Sequence, residues 1–535
     1  MEGVERNRSV SNTFSKKSGI STGGDLSAGI KKLGKDKRAL TLDLDYTLSA
    51  NDGKSTEYSK TTFASSGKED IRDLIYDKDG SYSDIGGSLK YVEPFGKNWA
   101  LSATLSSRYS VRKSTSDASN ADGSANDYYS SVSDNYYFSN EGQLLAQFNK
   151  GKTNVQFGGQ ARLYKNENYA RSFGLDTKTG VDEWQTTLSP FVNVRYSDKN
   201  NNVYFRLSSR TARPSSASIV PTFNIVNPTR ITAGNIYLKP VTKESVTTTY
   251  RGSWGKARFN GWLFGDYSSN SQVSAIWFDE NSVRYSIPVN TKKPSYSYSS
   301  DFNFFTPLSK DGKLQLSVNG GFGVTRSVSY QSKGSLDGID LDSFDYTGFM
   351  DNFWGDASGD RFYSGQSGFQ ESLTRILRTD LSIELTLNLE RFSVQLAPAV
   401  NNSRSRYSLD SRANTNYWET FLSISPSYTS PHEFEFQSDF SYRILRGYGS
   451  GYNDDYVRWN FSVGKNIKSF NITLTAQDLL DSARSLMRTV QDDYVQNSYT
   501  NVLGRRIILS FTWNFGKMDA SKSGAAQNAM WNMAY

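Results

Sequence analysis

The chain of 535 residues contains no cysteine. That removes disulfides, zinc–thiolate sites and cysteine nucleophiles together, and it suits an exported protein that needs no covalent staple. Histidine occurs once, as His432, so a catalytic triad or an imidazole metal centre has little to draw on. No stretch approaches the roughly eighteen consecutive apolar residues that a membrane-spanning helix requires. Basic residues are scattered and the net charge is only +7, without the basic tract that nucleic-acid binding would need. The opening MEGVERNRSVSNTF lacks the apolar stretch of a signal peptide, so any export address is expected upstream of Met1. With 36% hydrophobic residues, the chain is too polar for a bundle of membrane helices.

What is abundant is aromatic: 33 Tyr, 31 Phe and 10 Trp, a bias toward strands and against disorder. Residues 38–50, RALTLDLDYTLSA, show how the chain is written. In a helix Leu40, Leu42, Leu44, Tyr46 and Leu48 would scatter around the axis. In a strand they share one face and Thr41, Asp43, Asp45 and Thr47 the other. The pattern recurs in NWALSATLSSRYSV, TNVQFGGQARLY, KLQLSVNGGFGV, TDLSIELTLNLE, EFEFQSDFSYR and RRIILSFTWNF. Segments of about ten residues with one apolar and one polar face mark a transmembrane β-barrel.

Connections alternate short and long. Tight Gly/Asn/Asp/Lys turns fall at FGKN, NKGK, SDKNNN, GKA and SKDGK. Long polar connections are expected over 51–81, 112–134, 166–183, 213–240, 327–370, 402–415, 444–455 and 478–500. Short periplasmic turns and long extracellular loops give a barrel this asymmetry. The spacing predicts an all-β, antiparallel transmembrane barrel with roughly nineteen strands visible. The expected first strand (24–33) and the last (505–515) both descend, so they cannot pair antiparallel with each other. At least one strand is therefore expected before residue 22, and the chain reads as truncated. The division expected is a polar segment over 1–21, an incomplete barrel without its plug over 22–516, and a tail over 517–535.

Three stretches carry a family resemblance: GGDLSAGIKKLGKDKRALTLDLDYT (23–47), GSLKYVEPFGKNWALS (87–102) and TARPSS…VNPTRITAGNIYLKPVTKESVTTTY (211–250). With the closing GRRIILSFTWNFG they resemble the C-terminal barrel of TonB-dependent receptors of the Bacteroidetes type, in the branch called the outer membrane protein β-barrel family. The family pattern runs Asn-Pro, Gly-Asn-Pro, then Leu-Lys-Pro-Glu. Asn227, Pro228, Gly234, Asn235, Leu238, Lys239 and Pro240 match it, whereas Ile236 and Val241 depart from it. The resemblance implies an architectural rim segment, a barrel of about 22 strands, and a signal, energising box and plug that are not visible here.

Candidate residues each have a plain alternative. His432 in SPHEF reads as a solvated turn residue. Asp337, Asp340, Asp342, Asp345, Asp351, Asp356 and Asp360 could gather calcium, but they do not follow the EF-hand spacing and also suit a hydrated loop, so no metal is assigned. The loop aromatics Phe344, Tyr346, Phe353 and Trp354 are the candidate ligand-stacking surface. They could equally join the interfacial girdle or pack loops together, as could Tyr128, Tyr129, Tyr136 and Tyr137. Gln315, Asn319, Glu384, Asn388, Gln437 and Asp439 should line the lumen.

The resemblance thus implies a non-enzymatic receptor or transporter in the outer membrane of a Gram-negative bacterium, binding or taking up a nutrient. Its partners would be outer-membrane lipid, an unknown extracellular ligand, and a TonB-type complex acting only through a plug. No cofactor and no nucleic acid are expected. A plug-less pore or structural surface barrel is the alternative, and a secreted all-β adhesin a third.

Overall fold

The computed structural model describes residues 7–513 except 34–37, 65–66, 173–174, 180–183, 220, 222, 228, 333–344, 449–452, 454, 483–485, 491–494 and 500–502. Nineteen strands form a continuous wall in which each pairs antiparallel with the next. The first six are Asn7–Leu33, Arg38–Phe63, Glu69–Phe95, Trp99–Asn120, Ser131–Lys150 and Thr153–Ser172. Then come Gln185–Ser197, Asn201–Ala212, Val241–Trp254, Ala257–Ser269, Ser295–Pro307, Leu314–Ser332 and Phe369–Asn388. Phe392–Tyr407, Thr415–Thr429, Phe434–Arg446, Asp455–Ile467, Phe470–Gln477 and Arg506–Trp513 complete the wall. An odd number of antiparallel strands leaves the first and last running the same way. Among the described residues these two pair on one side only.

The pleat divides the wall into two chemistries. Leu42, Leu44, Tyr46 and Leu48 are 42–46% exposed on one face, and the intervening Asp43, Asp45 and Thr47 lie on the other. Register carries the apolar face across strands: Ile30, Leu40, Tyr91, Ala103 and Leu144 stand side by side. At the short-turn end Trp99 packs on Phe148 at 4.9 Å and on Phe95 at 6.0 Å, a piece of interfacial aromatic girdle. Opposite the apolar band, the side chains hydrogen-bond from strand to strand. Asn260 donates to Asn303 (3.3 Å), Asn303 to Asn319 (2.6 Å) and Asn319 to Ser382 (3.2 Å). Register sets Gln315, Glu384 and Gln437 on the same inner face, as expected for the lumen.

The short turns keep the chemistry that their composition suggests. Trp254 and Ala257 pair across Gly255-Lys256, and Gly255 has φ 60°, the value a two-residue hairpin turn of this hand asks of its first central residue. In the turn at 198–200, the Asp198 carboxylate accepts from the N–H groups of Asn200 and Asn201 and from the Tyr196 hydroxyl. Those bonds, the Asn200 N–H foremost, hold its pKa down to about 2. A depressed carboxylate stabilises above its unfolded pKa and loses that contribution as pH falls through the folded value, so this turn tightens the wall at any physiological pH.

Several boundaries differ from expectation. The first strand begins at Asn7, not near residue 24, so most of the polar 1–21 segment is strand. Likewise much of the supposed loops 51–81, 112–134 and 166–183 is strand, since pairing runs unbroken from Thr62↔Glu69 down to Ala39↔Val92. The reason is solvent. A 26-residue strand is about 85 Å long, whereas about 9–11 residues cross the bilayer. Beyond the hydrocarbon both faces meet water, and no apolar stripe is required.

Leu44→Arg should destabilise the complete protein by about 2–4 kcal/mol, the cost of a lipid-facing arginine near the midplane. Asp43→Arg, on the lumen face, should cost much less. Urea titration of the heat-modifiable gel shift reads the difference, and equal effects would refute the assignment of faces.

Candidate functional site

At the long-connection end several loops fold into a cap with its own core. Arg230–Ala233 pairs antiparallel with Phe223–Asn227 and parallel with Arg284–Asn290. Arg284–Asn290 forms a hairpin with Gln272–Phe278, which in turn pairs parallel with the outer end of Leu314–Ser332. With Leu175–Thr179, these short strands bring the hydrogen-bonded network to 24 strands. Ile287 and Val289 are completely buried, and Ser286 and Asn290 on the opposite face are nearly so, because both faces of this small sheet are covered.

The helices Tyr346–Phe353 and Asp360–Ser364 lie against it. Asp345 caps the first, accepting from Thr347 N–H at 3.1 Å. The rings then nest: Trp277 stacks on Tyr285 at 5.2 Å, Phe362 meets Phe353 at 5.0 Å, and Trp354 packs on Phe362 at 5.4 Å. Phe63, Tyr128 and Tyr129 pack against the same core from the loops of the first wall strands. Loops from two separated parts of the wall therefore meet over its extracellular end.

Asn235 is the tie at the centre of the rim segment. Fully buried, it donates from Nδ2 to Pro288 O (3.0 Å) and accepts at Oδ1 from Tyr237 N–H (2.9 Å). Its backbone carbonyl accepts from Leu238 N–H at 3.3 Å. The Tyr346 hydroxyl donates to Gly234 O (3.4 Å) and accepts from Ile236 N–H (3.3 Å). Asn290 pairs with both polar groups of the Lys239 backbone, and Asn270 donates to Pro240 O at 2.9 Å. Asn227 closes the turn before Thr229, accepting from its N–H and hydroxyl. Pro228 and Phe344 lie outside the described residues.

Phe353 and Trp354 are 5% and 3% exposed. That corrects the ligand-stacking expectation for both: their rings are consumed by the cap core and leave no face for a ligand. Half-buried Tyr346 fixes the rim segment instead. Burial pushes its hydroxyl up to about 12, so it stays a neutral donor. Asp356 and Asp360 accept from neighbouring backbone N–H groups, while Asp337, Asp340 and Asp342 lie outside the described residues. No group of three potential metal ligands gathers among the described residues. His432 is exposed in the turn before Phe434–Arg446.

Sequence reading placed Asp45 on the polar face but missed the ion pairs that cross the inner wall. Arg108 binds the Asp84 carboxylate on the adjacent strand and, at 2.8 Å, the Asp45 carboxylate two strands away. Gly86 lies between Arg108 and Asp45 in register. A Cβ there would sit 2.8 Å from Arg108 Nη2 and 2.9 Å from Asp45 Oδ1, so only glycine lets the guanidinium span the gap. Farther round, Arg162 pairs with Glu141 at 2.7 Å. Spacing along the chain gives no hint of either pair, because strand register creates them.

A wall greasy outside and polar inside, with a folded extracellular cap, defines an outer-membrane β-barrel. The sequence profile of the outer membrane protein beta-barrel family matches residues 31–358 and 357–513, and the chain belongs to that family. No curated protein matches it. Among solved structures it is similar to the ferric yersiniabactin uptake receptor FyuA from Yersinia pestis, at 10% identity and TM-score 0.41 over 89% of this chain and 61% of that one. It is also similar to the copper transporter OprC (12% identity, TM-score 0.39, 93% of this chain and 80% of that). A third is the outer membrane transporter YddB from Escherichia coli (11%, 0.36, 93% and 76%). The chain thus spans about three-fifths of the Yersinia receptor.

Phe353→Ala should remove about 3–5 kcal/mol from the cap, the usual cost of a large buried ring, and leave the membrane wall intact. Limited proteolysis should then cut within 346–364 while the heat-modifiable gel shift persists. A cap as resistant as the wild type would show that this ring is not part of its core.

Proposed function

We propose that the chain forms the wall and cap of a TonB-dependent receptor that binds a scarce nutrient at the cell surface for uptake. The observation that supports this reading best is the combination of a nineteen-strand wall, polar on its inner face, with a folded cap at its long-connection end. A barrel of 16–18 strands already leaves an aqueous channel, and barrels of about 22 strands are plugged. Antiparallel closure of nineteen strands needs an odd number of further strands. In this reading a plug fills the lumen, and an inner-membrane energising complex acts on that plug. The protein does no covalent chemistry; its inner-wall residues bind and orient.

The complete protein, reconstituted in a planar bilayer, should show no steady large conductance. Mild urea, which unfolds a plug before a barrel, should open it reversibly. A steady open channel without urea would overturn the receptor reading in favour of a plug-less pore.

A further inference from the structure

The inner face of the first four wall strands carries cations that the rest of the wall does not neutralise. Lys17 and Lys78 flank Gly53 in one cross-strand row. Arg112 stands opposite Tyr82, four residues along the same strand from Lys78. Lys17 and Lys78 are thus about 10 Å apart at the backbone, and Arg112 lies about 13 Å farther along. None of the three has a carboxylate partner among the described residues. Lys78 lies over the Tyr76 ring at 5.0 Å and Arg112 over the Tyr82 ring at 5.2 Å. Arg108 and Arg162, on the same face, are both paired with carboxylates.

These cations surround a recess of about 570 Å³. Glycines hollow its floor: a Cβ on Gly80 would sit 2.9 Å from Asn51 Nδ2, and one on Gly53 3.0 Å from Lys16 O. Ser15, Ser49, Ser55, Ser114 and Ser116 add hydroxyls. Asp52 and Asp79 also border the recess, but strand alternation sends their side chains to the outer face. The recess lies just beyond the apolar band, which ends near Leu48, and on the lumen side, away from lipid.

We propose that this recess binds a soluble polyanion, a molecule carrying two or more carboxylate, sulfate or phosphate groups spaced about 10 Å apart. The spacing suits an acidic oligosaccharide better than one small ion, since any two of the three cations closing on a single anion would draw Lys78 or Arg112 off its tyrosine. Serine hydroxyls and the Asn51 amide would meet its neutral hydroxyls. This names a ligand class for the receptor reading and rests on it only for the direction of travel. Binding in detergent needs no plug movement, so its failure is distinguishable from a failed conductance test.

The test uses the complete protein, freed of lipopolysaccharide, and a fluorescent heparin-derived hexasaccharide read by anisotropy. Maltohexaose is the neutral control and lipopolysaccharide micelles are the lipid control. Lys78→Glu with Arg112→Glu should weaken hexasaccharide binding at least tenfold. Lys60→Glu with Lys165→Glu makes the same charge change on the outer face, away from the recess, and should alter it less than twofold. If the inner double variant loses its heat-modifiable shift, Lys78→Gln with Arg112→Gln should show the same selective loss. Equal weakening by inner and outer variants would reduce the effect to general charge and overturn the proposal. So would maltohexaose binding as tightly as the hexasaccharide, lipopolysaccharide binding where the hexasaccharide does not, or no binding by the wild type.

Discussion

Hydrocarbon offers no partner to a backbone N–H or C=O, and each one left bare costs several kcal/mol. That constraint organises this molecule. Long strands pair residue for residue, from Thr62↔Glu69 to Ala39↔Val92 and from Leu74↔Asn120 to Phe95↔Trp99, and the side chains are left to divide the solvents between them. Once the backbone is satisfied in this way, period-two alternation suffices to make an outside of leucines and an inside of asparagine, serine and charge. The wall needs no conventional core, and its core lies elsewhere.

That core is the cap, which obeys the rules of a water-soluble domain. Its sheet is covered on both faces, its helix is capped by Asp345, and its aromatic rings nest at 5–6 Å. The rim segment from Asn227 to Pro240 ties this domain to the wall through asparagine side chains that substitute for missing sheet partners. Wall and cap thus draw stability from different sources: strand pairing in lipid for one, buried apolar rings for the other. A lesion in the cap should not open the wall.

Much of the wall was legible in the sequence because lipid enforces a pattern. Leu40 to Leu48 announce both the strand and its faces, and the roughly nineteen strands expected match the nineteen observed. Where water takes over, the pattern lapses and the reading fails. SANDGKSTEYSKTTF has loop composition yet is strand, held by neighbours on both sides. Phe353 and Trp354 read as candidate ligand-stacking aromatics because nothing local reveals that four other loops converge on the core they join. The Arg108 bridge over Gly86 is likewise invisible until register sets three strands side by side. Periodicity is local information, whereas loop convergence and register are not.

The central claim is that this wall separates lipid from an aqueous lumen along alternate residues. Nitroxide labels placed singly at 40 to 48 in the complete protein, reconstituted in bilayers, test it most directly. Collision rates with oxygen should be high at 40, 42, 44, 46 and 48, and those with a water-soluble nickel chelate high at 41, 43, 45 and 47. An accessibility profile without this period of two, or one with the phases reversed, would contradict the account.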